Sequence, residues 1–280
     1  MTDPLDTPVP AMRPLLAMRS VSKLFSNGTQ ALADVSLTVR SGEFVSLLGP
    51  SGCGKSTALR IIAGLGGVTT GSIDWPSTRI NPNGKPESDI SFVFQEPTLL
   101  PWRNVFENVY LPLQLKGISR RAAAAVVDDA LKTVGLTDFR QAYPRELSGG
   151  MKMRVSIARA MVTRPKLLLM DEPFASLDEI TRQKLNDDVL TLWAETGVSV
   201  IFVTHSVFES AYLSTRIVVM KARPGRIHED FEVNRGAVRD EEFRTSESYR
   251  STCERVSHSL QNAMHGESVR GKALHGAGAH

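Results

Sequence analysis

The chain has 280 residues, of which 41% are hydrophobic and 22% are charged, and its formal net charge is +3 at pH 7. This length and hydrophobic content can supply one large core or two modest ones. The net charge is too small to indicate nucleic acid or an anionic membrane surface as a partner. The two cysteines, Cys53 and Cys253, have neither metal-binding nor disulfide spacing, which favours a reducing compartment.

Neither a signal peptide nor a membrane span is predicted. No stretch approaches the roughly 20 consecutive apolar residues that cross a bilayer. Residues 1–14 contain acidic residues and four prolines but no apolar segment, so they are predicted to form a disordered arm. Any membrane role is therefore expected to come through a partner.

The first part of the chain is predicted to be rich in strands. A helix is expected at 57–63, where Gly64 ends it, and a turn-rich loop at 78–88. Apolar runs, some unbroken and some alternating with polar residues, predict the strands. These strands lie at residues 15–24, 35–39, 43–48, 72–75 and 90–94.

The next part begins with a helical block at residues 104–162. Within it, Ser119 is a predicted N-cap and Gly135 a predicted helix stop. Ser206 and Glu209 form a capping-box pattern that predicts the start of a later helix. The block therefore interrupts an α/β pattern, because sheet character returns after it. The elements that follow are strands at 166–170 and 198–203, with a helix at 179–195 between them.

The C-terminal end is less informative. Residues 241–264 are predicted to form an amphipathic helix. Residues 265–280 are rich in Gly, Ala and His without metal-ligand spacing, and they predict a disordered tail. The apolar side of the helix consists of Phe243, Tyr249, Val256 and Leu260.

A complete GxxxxGK[ST] phosphate loop connects the strand at 43–48 to the helix that follows. Its glycines allow a tight path that points backbone N–H groups at an anion, and the helix N-terminus adds a favourable dipole. Lys55 is predicted to reach the β- and γ-phosphates of a nucleoside triphosphate, and the Ser56 hydroxyl to ligate Mg²⁺. A glycine-rich turn that binds nothing is the alternative. The predicted binding residues are Gly49, Pro50, Ser51, Gly52, Cys53, Gly54, Lys55, Ser56 and Thr57.

Two adjacent carboxylates, Asp171 and Glu172, follow the apolar strand at 166–170. An apolar run without alternation is typical of a strand that is covered on both faces of a parallel sheet. The carboxyl ends of such strands are where open α/β sheets bind ligands. The pair is therefore predicted to line a ligand site, and a turn that merely leaves the strand is the alternative.

The run Leu147-Ser148-Gly149-Gly150 lies between these two motifs. This order of motifs resembles the ATP-binding cassette of ABC transporters, over about residues 15–227. The resemblance implies an α/β fold: a P-loop NTPase core with a parallel sheet, an N-terminal antiparallel β-subdomain and an inserted α-helical subdomain at about 97–163. The implied divisions of the chain are an arm at 1–14, the ATPase domain at 15–240, and a helix with a disordered tail at 241–280.

The resemblance also assigns catalytic roles. Glu172 corresponds to the general base for the attacking water, and Asp171 to the residue that holds Mg²⁺ mainly through its water shell. Gln95 corresponds to a sensor of Mg²⁺ and of the attacking water. His205 corresponds to the histidine that contacts the γ-phosphate, although a histidine after a strand is otherwise most often structural. Together with Lys55, these residues form the implied machinery for hydrolysis of ATP with Mg²⁺.

Further residues are implied to bind the nucleotide. Phe25 stands where the family stacks an aromatic ring on adenine, and a core position is the alternative. The Ser148-Gly149-Gly150 run is implied to complete the ATP site of a second copy, so that ATP is sandwiched between two subunits. Met151 departs from the commoner LSGGQ form, so no contact is assigned to its side chain. Asp178 corresponds to the D-loop that links the two sites, and it can also serve as a helix cap.

Three segments narrow the resemblance further: residues 99–102 (LLPW), 147–151 (LSGGM) and 222–227 (ARPGRI). Together they resemble ATP-binding subunits of importers for nitrate, sulfonates, taurine and related solutes. Such a subunit is implied to work with integral membrane permease subunits, a second copy of itself and, indirectly, an extracytoplasmic solute-binding protein, with no nucleic acid. Its implied location is peripheral, at the cytoplasmic face of the inner membrane. Leu99, Leu100 and Trp102 are expected to fill a groove that receives a coupling helix of the permease, with residues 104–115 as its wall. Ordinary packing at a domain junction is the alternative.

Three other functions stay open on the sequence alone. The importer can serve another small solute, such as a thiamine-precursor pyrimidine. A soluble ABC ATPase acting on nucleic acid or ribosomes would be expected to show tandem cassettes, long heptad arms or strong basic patches, and the sequence has none of these. A nucleotide-binding regulator without turnover is disfavoured by the intact Lys55, Asp171, Glu172 and His205.

Overall fold

The computed structural model describes residues 14–75, 90–233 and 239–271, with side chains as far as residue 264. Within these residues the strands form a three-stranded sheet and a six-stranded sheet. The predicted arm, apart from Pro14, the predicted loop at 78–88 and the last residues of the predicted tail lie outside the described residues. No described helix combines the length and the apolar composition needed to cross a bilayer.

The three-stranded sheet is antiparallel and N-terminal. Its central strand is β1 (Pro14–Leu24), which pairs with β2 (Gln30–Arg40) on one side and β4 (Thr70–Asp74) on the other. The second half of β2 alternates buried and exposed residues, as expected for a sheet with one face covered. The predicted second strand is thus confirmed, but it begins at Gln30 rather than at residue 35.

The six-stranded sheet forms the centre of the molecule. Its strand order is β5-β6-β7-β3-β8-β9, and all neighbours are parallel except the final pair, β8 and β9. Strands β3, β6 and β7 are buried almost throughout, because a parallel sheet is covered on both faces. The strands are β3 (Phe44–Leu48), β5 (Ile90–Val93), β6 (Leu167–Asp171), β7 (Ser199–Thr204), β8 (Arg216–Lys221) and β9 (Arg226–Glu232).

Alternate residues of the central strands face two different cores. Phe44 of β3 points to the side of the helical block, where its ring lies 6.0 Å from both Trp193 and Phe202. Its neighbour Val45 points to the opposite side, toward the helix after β3 and the antiparallel sheet. Since successive side chains of a strand point to opposite faces, one short strand joins both cores.

One helix follows each of the strands β3, β6 and β7 of the central sheet. The three helices are α1 (Lys55–Ile62), α5 (Glu179–Thr196) and α6 (Val207–Leu213). Helix α1 begins at Lys55 rather than at residue 57, so that Lys55 and Ser56 lie in its first turn. Asp178 caps α5 by accepting a hydrogen bond from Thr181 N at 2.9 Å.

A block of three further helices separates β5 from β6. These helices are α2 (Val105–Leu115), α3 (Arg120–Thr133) and α4 (Gly149–Met161). Ser119 caps α3 as predicted, by accepting from Ala122 N, and Gly135 takes a left-handed φ of 67° just beyond its end. The predicted architecture, an α/β core with an antiparallel N-terminal sheet and an inserted helical block, is therefore confirmed.

The C-terminal helix differs from its prediction. Helix α7 runs over Glu247–Gly271, so it starts later than residue 241 and extends beyond residue 264. Phe243 lies before it, in a short 3₁₀ helix, and packs with Tyr212 and Tyr249. Val256 and Leu260 do face the sheet, against β8 and β9. Of the predicted apolar positions, Phe243 and Val256 are thus buried and Tyr249 and Leu260 are partly buried, but Phe243 reaches the core from a separate turn.

Candidate active site

The phosphate loop, residues 49–54, is seated tightly between neighbouring strands. A Cβ atom on Gly54 would lie 2.6 Å from Leu32 Cδ2 of β2, and one on Gly49 would lie 2.6 Å from the Met220 carbonyl oxygen of β8. Gly54 also has a φ of 90°, which only glycine adopts without strain. Glycine is therefore required at these positions by the close approach of the backbone to β2 and β8.

Lys55 lies at the mouth of this loop, and only 5% of its side chain is exposed. Its ammonium group donates to the carbonyl oxygens of Gly49 at 2.8 Å and Pro50 at 3.2 Å. The ammonium group is also 3.9 Å from the Glu172 carboxylate. The charge is thus held beside both the loop and the acidic end of β6.

Ser56 and Asp171 meet directly, since the Ser56 hydroxyl donates to Asp171 Oδ1 at 2.8 Å. Burial raises the pKa of Asp171, and the hydrogen bond from Ser56 opposes that rise. A hydroxyl and a carboxylate are ligand types that Mg²⁺ prefers. No group of three or more His, Cys, Asp and Glu side chains in the described ranges could hold a metal. The pair thus fits Mg²⁺ that arrives with a triphosphate, which supplies the other oxygen ligands.

Glu172 lies between Lys55 and His205. Its carboxylate is 3.4 Å from His205 Nδ1 and 3.9 Å from the Lys55 ammonium group. Its backbone has a φ of 48° and its N–H donates to the Val203 carbonyl oxygen at 3.0 Å. A left-handed conformation is uncommon outside glycine and often marks a functional position. The ends of β6 and β7 therefore place the predicted base and the predicted histidine in one group.

The loop that carries His205 is held by its neighbours in sequence. Ser206 caps α6, because its hydroxyl accepts from Glu209 N at 3.2 Å. The predicted helix start at Ser206 is thus confirmed, but only half of the capping box forms, since the Glu209 carboxylate does not return to Ser206 N. It instead accepts from the Thr204 hydroxyl, and Ser206 N donates to Thr204 Oγ1 at 3.0 Å. A buried hydroxyl competes successfully for the carboxylate, which local sequence spacing does not reveal.

The LSGG run forms a second helix start. Ser148 caps α4 by accepting from Met151 N at 3.3 Å, and Gly149 and Gly150 occupy the first turn. A Cβ atom on Gly150 would lie 2.6 Å from Thr181 Cγ2, so this turn packs closely on the start of α5. The Met151 side chain is half-buried against the helical block. A Cβ atom on Gly149 would likewise lie 3.4 Å from Leu177 Cδ2, so the predicted anion-binding turn also contacts the D-loop, residues 175–178.

Asp178 is a helix cap, as one of the two readings of the sequence expected. The backbone N–H of Thr181 donates to its carboxylate and lowers its pKa. Ser148 and Asp178 each bond within their own helix start. The predicted site residues therefore fall into two groups: one contains Lys55, Ser56, Asp171, Glu172 and His205, and the other contains Ser148, Gly149, Gly150 and Asp178.

Phe25 and Gln95 lie at the surface. Phe25 is 43% exposed, so the alternative of a core position is wrong. Its ring lies 5.4 Å from the Lys23 ammonium group. Gln95 is exposed just beyond the end of β5, and Val93 of that strand pairs with Met170 of β6. Gln95 therefore leaves the sheet at the edge where Asp171 lies, and its predicted role as a sensor stays a prediction.

Gly225 is a supporting residue that the sequence did not reveal. A Cβ atom there would lie 2.2 Å from the carbonyl oxygen of Cys53, and the Gly225 N–H donates to Ala31 O at 3.0 Å. The turn between β8 and β9 thus closes against the phosphate loop. The ARPGRI segment contained the signal, but it pointed to a branch of the family and not to this contact.

Comparison with known proteins agrees with this geometry. The family profile described as ABC transporter matches residues 32–175. The aliphatic sulfonates import ATP-binding protein SsuB of Bacillus cereus is 42% identical, over 86% of this chain and 94% of its own length. The taurine import ATP-binding protein TauB of a Jannaschia species is 44% identical, over 78% of this chain and 82% of its own.

Solved structures give the same result. The chain resembles cbiO1 from Clostridium perfringens, part of the ABC transporter complex cbiONQ, with a TM-score of 0.72, 28% identity and coverage of 78% of this chain and 88% of the other. It also resembles a dimeric ATP-binding cassette bound to ADP and phosphate in a post-hydrolysis state, with a TM-score of 0.68, 33% identity and coverage of 78% and 99%. The chain therefore belongs to the ABC transporter family. It is an ATP-binding cassette ATPase, and the predicted family and fold class are confirmed.

The seating of the phosphate loop predicts a sharp steric effect at Gly54. Gly54→Ala should lose ATP binding, because the methyl group meets Leu32 and Ala31 O at 2.6 and 2.7 Å in addition to the strain of its φ. Gly197→Ala is the matched control, since Gly197 also has a positive φ of 64° but has no heavy atom within 4 Å of its Cβ position. That control should lose about 1–3 kcal/mol of stability and keep ATP binding. Titration with a fluorescent ATP analogue checks both variants, and equal affinity for Gly54→Ala and the parent chain would contradict the steric argument.

Proposed function

We propose that this chain is the ATP-hydrolysing subunit of an importer for a small solute of the sulfonate or taurine type. The observation that carries the proposal is the position of the Glu172 carboxylate, which lies 3.9 Å from the Lys55 ammonium group and 3.4 Å from His205 Nδ1. The import functions in the names of its relatives support the transport role. The permease and the solute-binding protein, and not this chain, would select the solute. An importer for another small solute, such as a thiamine-precursor pyrimidine, is therefore the alternative.

The proposed chemistry follows from the positions of the side chains. The Glu172 carboxylate accepts the proton of the attacking water, and His205, 3.4 Å away, orients that water and the γ-phosphate. Lys55 turns from the loop carbonyls to the phosphate oxygens, whose charge it neutralises. Mg²⁺, held by Ser56 and by Asp171 mainly through its water shell, would supply additional charge stabilisation when bound with ATP. Gln95 at the neighbouring strand end is proposed to sense the same water.

A second copy of the chain is proposed to complete the site. The turn at Ser148 offers backbone N–H groups and a hydroxyl at a helix N-terminus, which is an anion-binding arrangement. It contacts the D-loop of its own chain. A γ-phosphate held by one copy is therefore proposed to meet Ser148 of the other, with adenine stacked on Phe25. The dimeric cassette among the related structures supports this arrangement.

The proposed docking site for a permease is an apolar cleft of about 500 Å³ between β5 and α2. Phe94, Leu111 and Leu115 line it, and Leu115 is largely exposed. Trp102, which is 72% exposed, follows in the segment after Gln95. An apolar helix end from a permease is the proposed occupant, since exposed apolar side chains grouped beside a cleft are typical of interaction surfaces.

The segment that carries Trp102 is firmly held by the helical block. Arg159 of α4 donates to the carbonyl oxygens of Pro97 at 2.8 Å and Thr98 at 2.9 Å. Asn108 of α2 accepts from Leu100 N at 2.7 Å. Because α4 also begins with the LSGG run, closure of two copies on ATP is expected to move this docking segment with the helix.

The proposal includes a location and further partners. A permease in the inner membrane would hold the chain peripherally at the cytoplasmic face, where ATP is available. An extracytoplasmic solute-binding protein would deliver the solute to that permease without contacting this chain. The chain is expected to use no nucleic acid, and its net charge of +3 is too small to favour one.

Replacement of the proposed base tests the catalytic assignment. Glu172→Gln should keep ATP affinity close to that of the parent chain and lower turnover by about 10²–10⁴-fold, because the amide cannot accept the proton. Lys55→Ala should instead weaken triphosphate binding itself. Phosphate release and nucleotide titration measure the two effects. Turnover of Glu172→Gln at the parental rate would remove Glu172 from its assigned role.

The shared site predicts dimerisation that depends on ATP. In the Glu172→Gln background, Mg-ATP should convert the chain to a two-fold dimer that holds two nucleotides. Adding Ser148→Arg should block this conversion, because the bulky arginine side chain fills the space that the incoming phosphate needs. Analytical ultracentrifugation with and without Mg-ATP gives the result. Full dimerisation of the double variant would mean that the LSGG turn lies outside the interface.

The exposed Trp102 predicts separation of membrane association from catalysis. Trp102→Ala should release the chain from its permease, since apolar area stabilises an interface by about 25 cal/mol per Å² that is buried. Its ATPase rate in solution should stay at the parental value. Leu65→Ala is the control, because Leu65 is a large apolar residue that is also well exposed, at 65%, but lies in the turn after α1. Co-purification with the permease is the measurement, and retention of Trp102→Ala at the parental level would place docking elsewhere.

A further inference from the structure

A buried polar chain connects the loop of His205 to the D-loop of the same molecule. It begins at Thr204, which is buried at the end of β7 and immediately precedes His205. The Thr204 hydroxyl donates to the Glu209 carboxylate and accepts from Ser206 N at 3.0 Å. Thr204 and Ser206, the two neighbours of His205, are therefore held together by the Thr204 hydroxyl, which is itself held by the Glu209 carboxylate.

Glu209 continues the chain toward α5. Its side chain is only 9% exposed, and its other carboxylate oxygen is 3.8 Å from Arg182 Nε. That nitrogen is buried without a hydrogen bond of its own, and the Glu209 carboxylate places a compensating negative charge beside it. Burial raises the pKa of Glu209, while the Thr204 hydrogen bond and the Arg182 charge act against that rise. Each member of the chain thus stabilises the charge of the next.

The chain ends on the D-loop. Arg182 donates to the Leu177 carbonyl oxygen at 2.8 Å. The Leu177 side chain in turn lies 3.4 Å from the position of a Cβ on Gly149, in the LSGG turn. Arg182 also pairs with Glu179 at 3.2 Å, but that carboxylate is exposed to solvent. The buried branch therefore leads from the histidine loop to both elements of the second group of site residues.

We infer that Thr204, Glu209 and Arg182 are positioning residues that hold the loop of His205 at a fixed position relative to the D-loop. The inference rests on the proposed function, because it concerns hydrolysis in a site that two copies share. A buried ion pair adds little stability over apolar packing of the same volume. Its specific effect is to fix geometry, and here it fixes the loop that carries His205 relative to a loop that faces the second copy.

Enzyme kinetics of the full-length chain test the inference. Glu209→Gln should lower kcat for ATP about tenfold, which corresponds to a small displacement of His205, and should change KM by less than about twofold. Thr204→Val should have the same effect, and Thr204→Ser, which keeps the hydroxyl, should restore the parental kcat. Glu179→Gln is the matched control, because Glu179 also pairs with Arg182 but does not reach the histidine loop. Its kcat should stay within about twofold of the parental value.

A double-mutant cycle separates positioning from general destabilisation. If Glu209 acts through His205, then Glu209→Gln should not slow the His205→Ala variant further. A second tenfold loss in that background, or a parental kcat for both Glu209→Gln and Thr204→Val, would overturn the inference. Thermal unfolding of each variant identifies any that fail to fold. If Glu209→Gln fails to fold, the comparison of Thr204→Val with Thr204→Ser decides the outcome, since these two substitutions change the buried strand end least.

The same assays distinguish this inference from the proposed function. The parent chain and Glu172→Gln are measured in parallel with the other variants. An inactive parent chain, or a Glu172→Gln variant at the parental rate, would contradict the proposed function itself. An active parent chain with an inactive Glu172→Gln variant leaves the proposed function in place, so that the Glu209 and Thr204 results bear on positioning alone.

Discussion

The close contact of the phosphate loop with the strands around it is the constraint on which the rest of the site depends. The backbone at Gly49, Gly54 and Gly225 approaches β8, β2 and Cys53 so closely that a Cβ atom fits at none of them. This contact places the start of α1, and with it Lys55 and Ser56, at one fixed position relative to the sheet. A loop held less tightly would leave the Lys55 ammonium group without a defined distance to Glu172.

The parallel sheet converts this fixed position into an active site. Strands β6 and β7 are neighbours, and both lead into the edge where the phosphate loop lies. Asp171 ends β6, Glu172 follows it, and His205 follows β7, so residues from two distant parts of the sequence converge on Lys55 and Ser56. Each central strand is buried on both faces, in cores that alternate along it. Rigid strands therefore set the distances among the catalytic groups.

The sequence predicted best what depends on local pattern. Apolar runs located the buried strands, and the GxxxxGK[ST] motif located Lys55 and Ser56, because strand burial and loop geometry are both properties of short segments. Contacts between distant segments were missed, such as Gly225 against Cys53 and Arg182 beside Glu209. The helix start at Ser206 was predicted correctly, but only half of its capping box forms, since the Thr204 hydroxyl binds the Glu209 carboxylate. A local sequence pattern shows which hydrogen bonds a side chain can form, but the fold decides which of the possible partners it binds.

The separation of the predicted site residues into two groups supports the proposal that one chain holds only part of an ATP site. Ser148 caps α4 and Asp178 caps α5, and these two helix starts pack together, whereas Lys55 at the start of α1 meets Glu172 beyond the end of β6. A rigid fold cannot bring its own LSGG turn onto its own phosphate loop without breaking the packing of Gly150 on Thr181. In the proposed dimer, a second copy would supply that turn without any such cost. Binding of ATP would then drive association of the two copies, and the hydrogen bonds of Arg159 to the segment after Gln95 would carry the movement of the helix that starts at Ser148 to that segment.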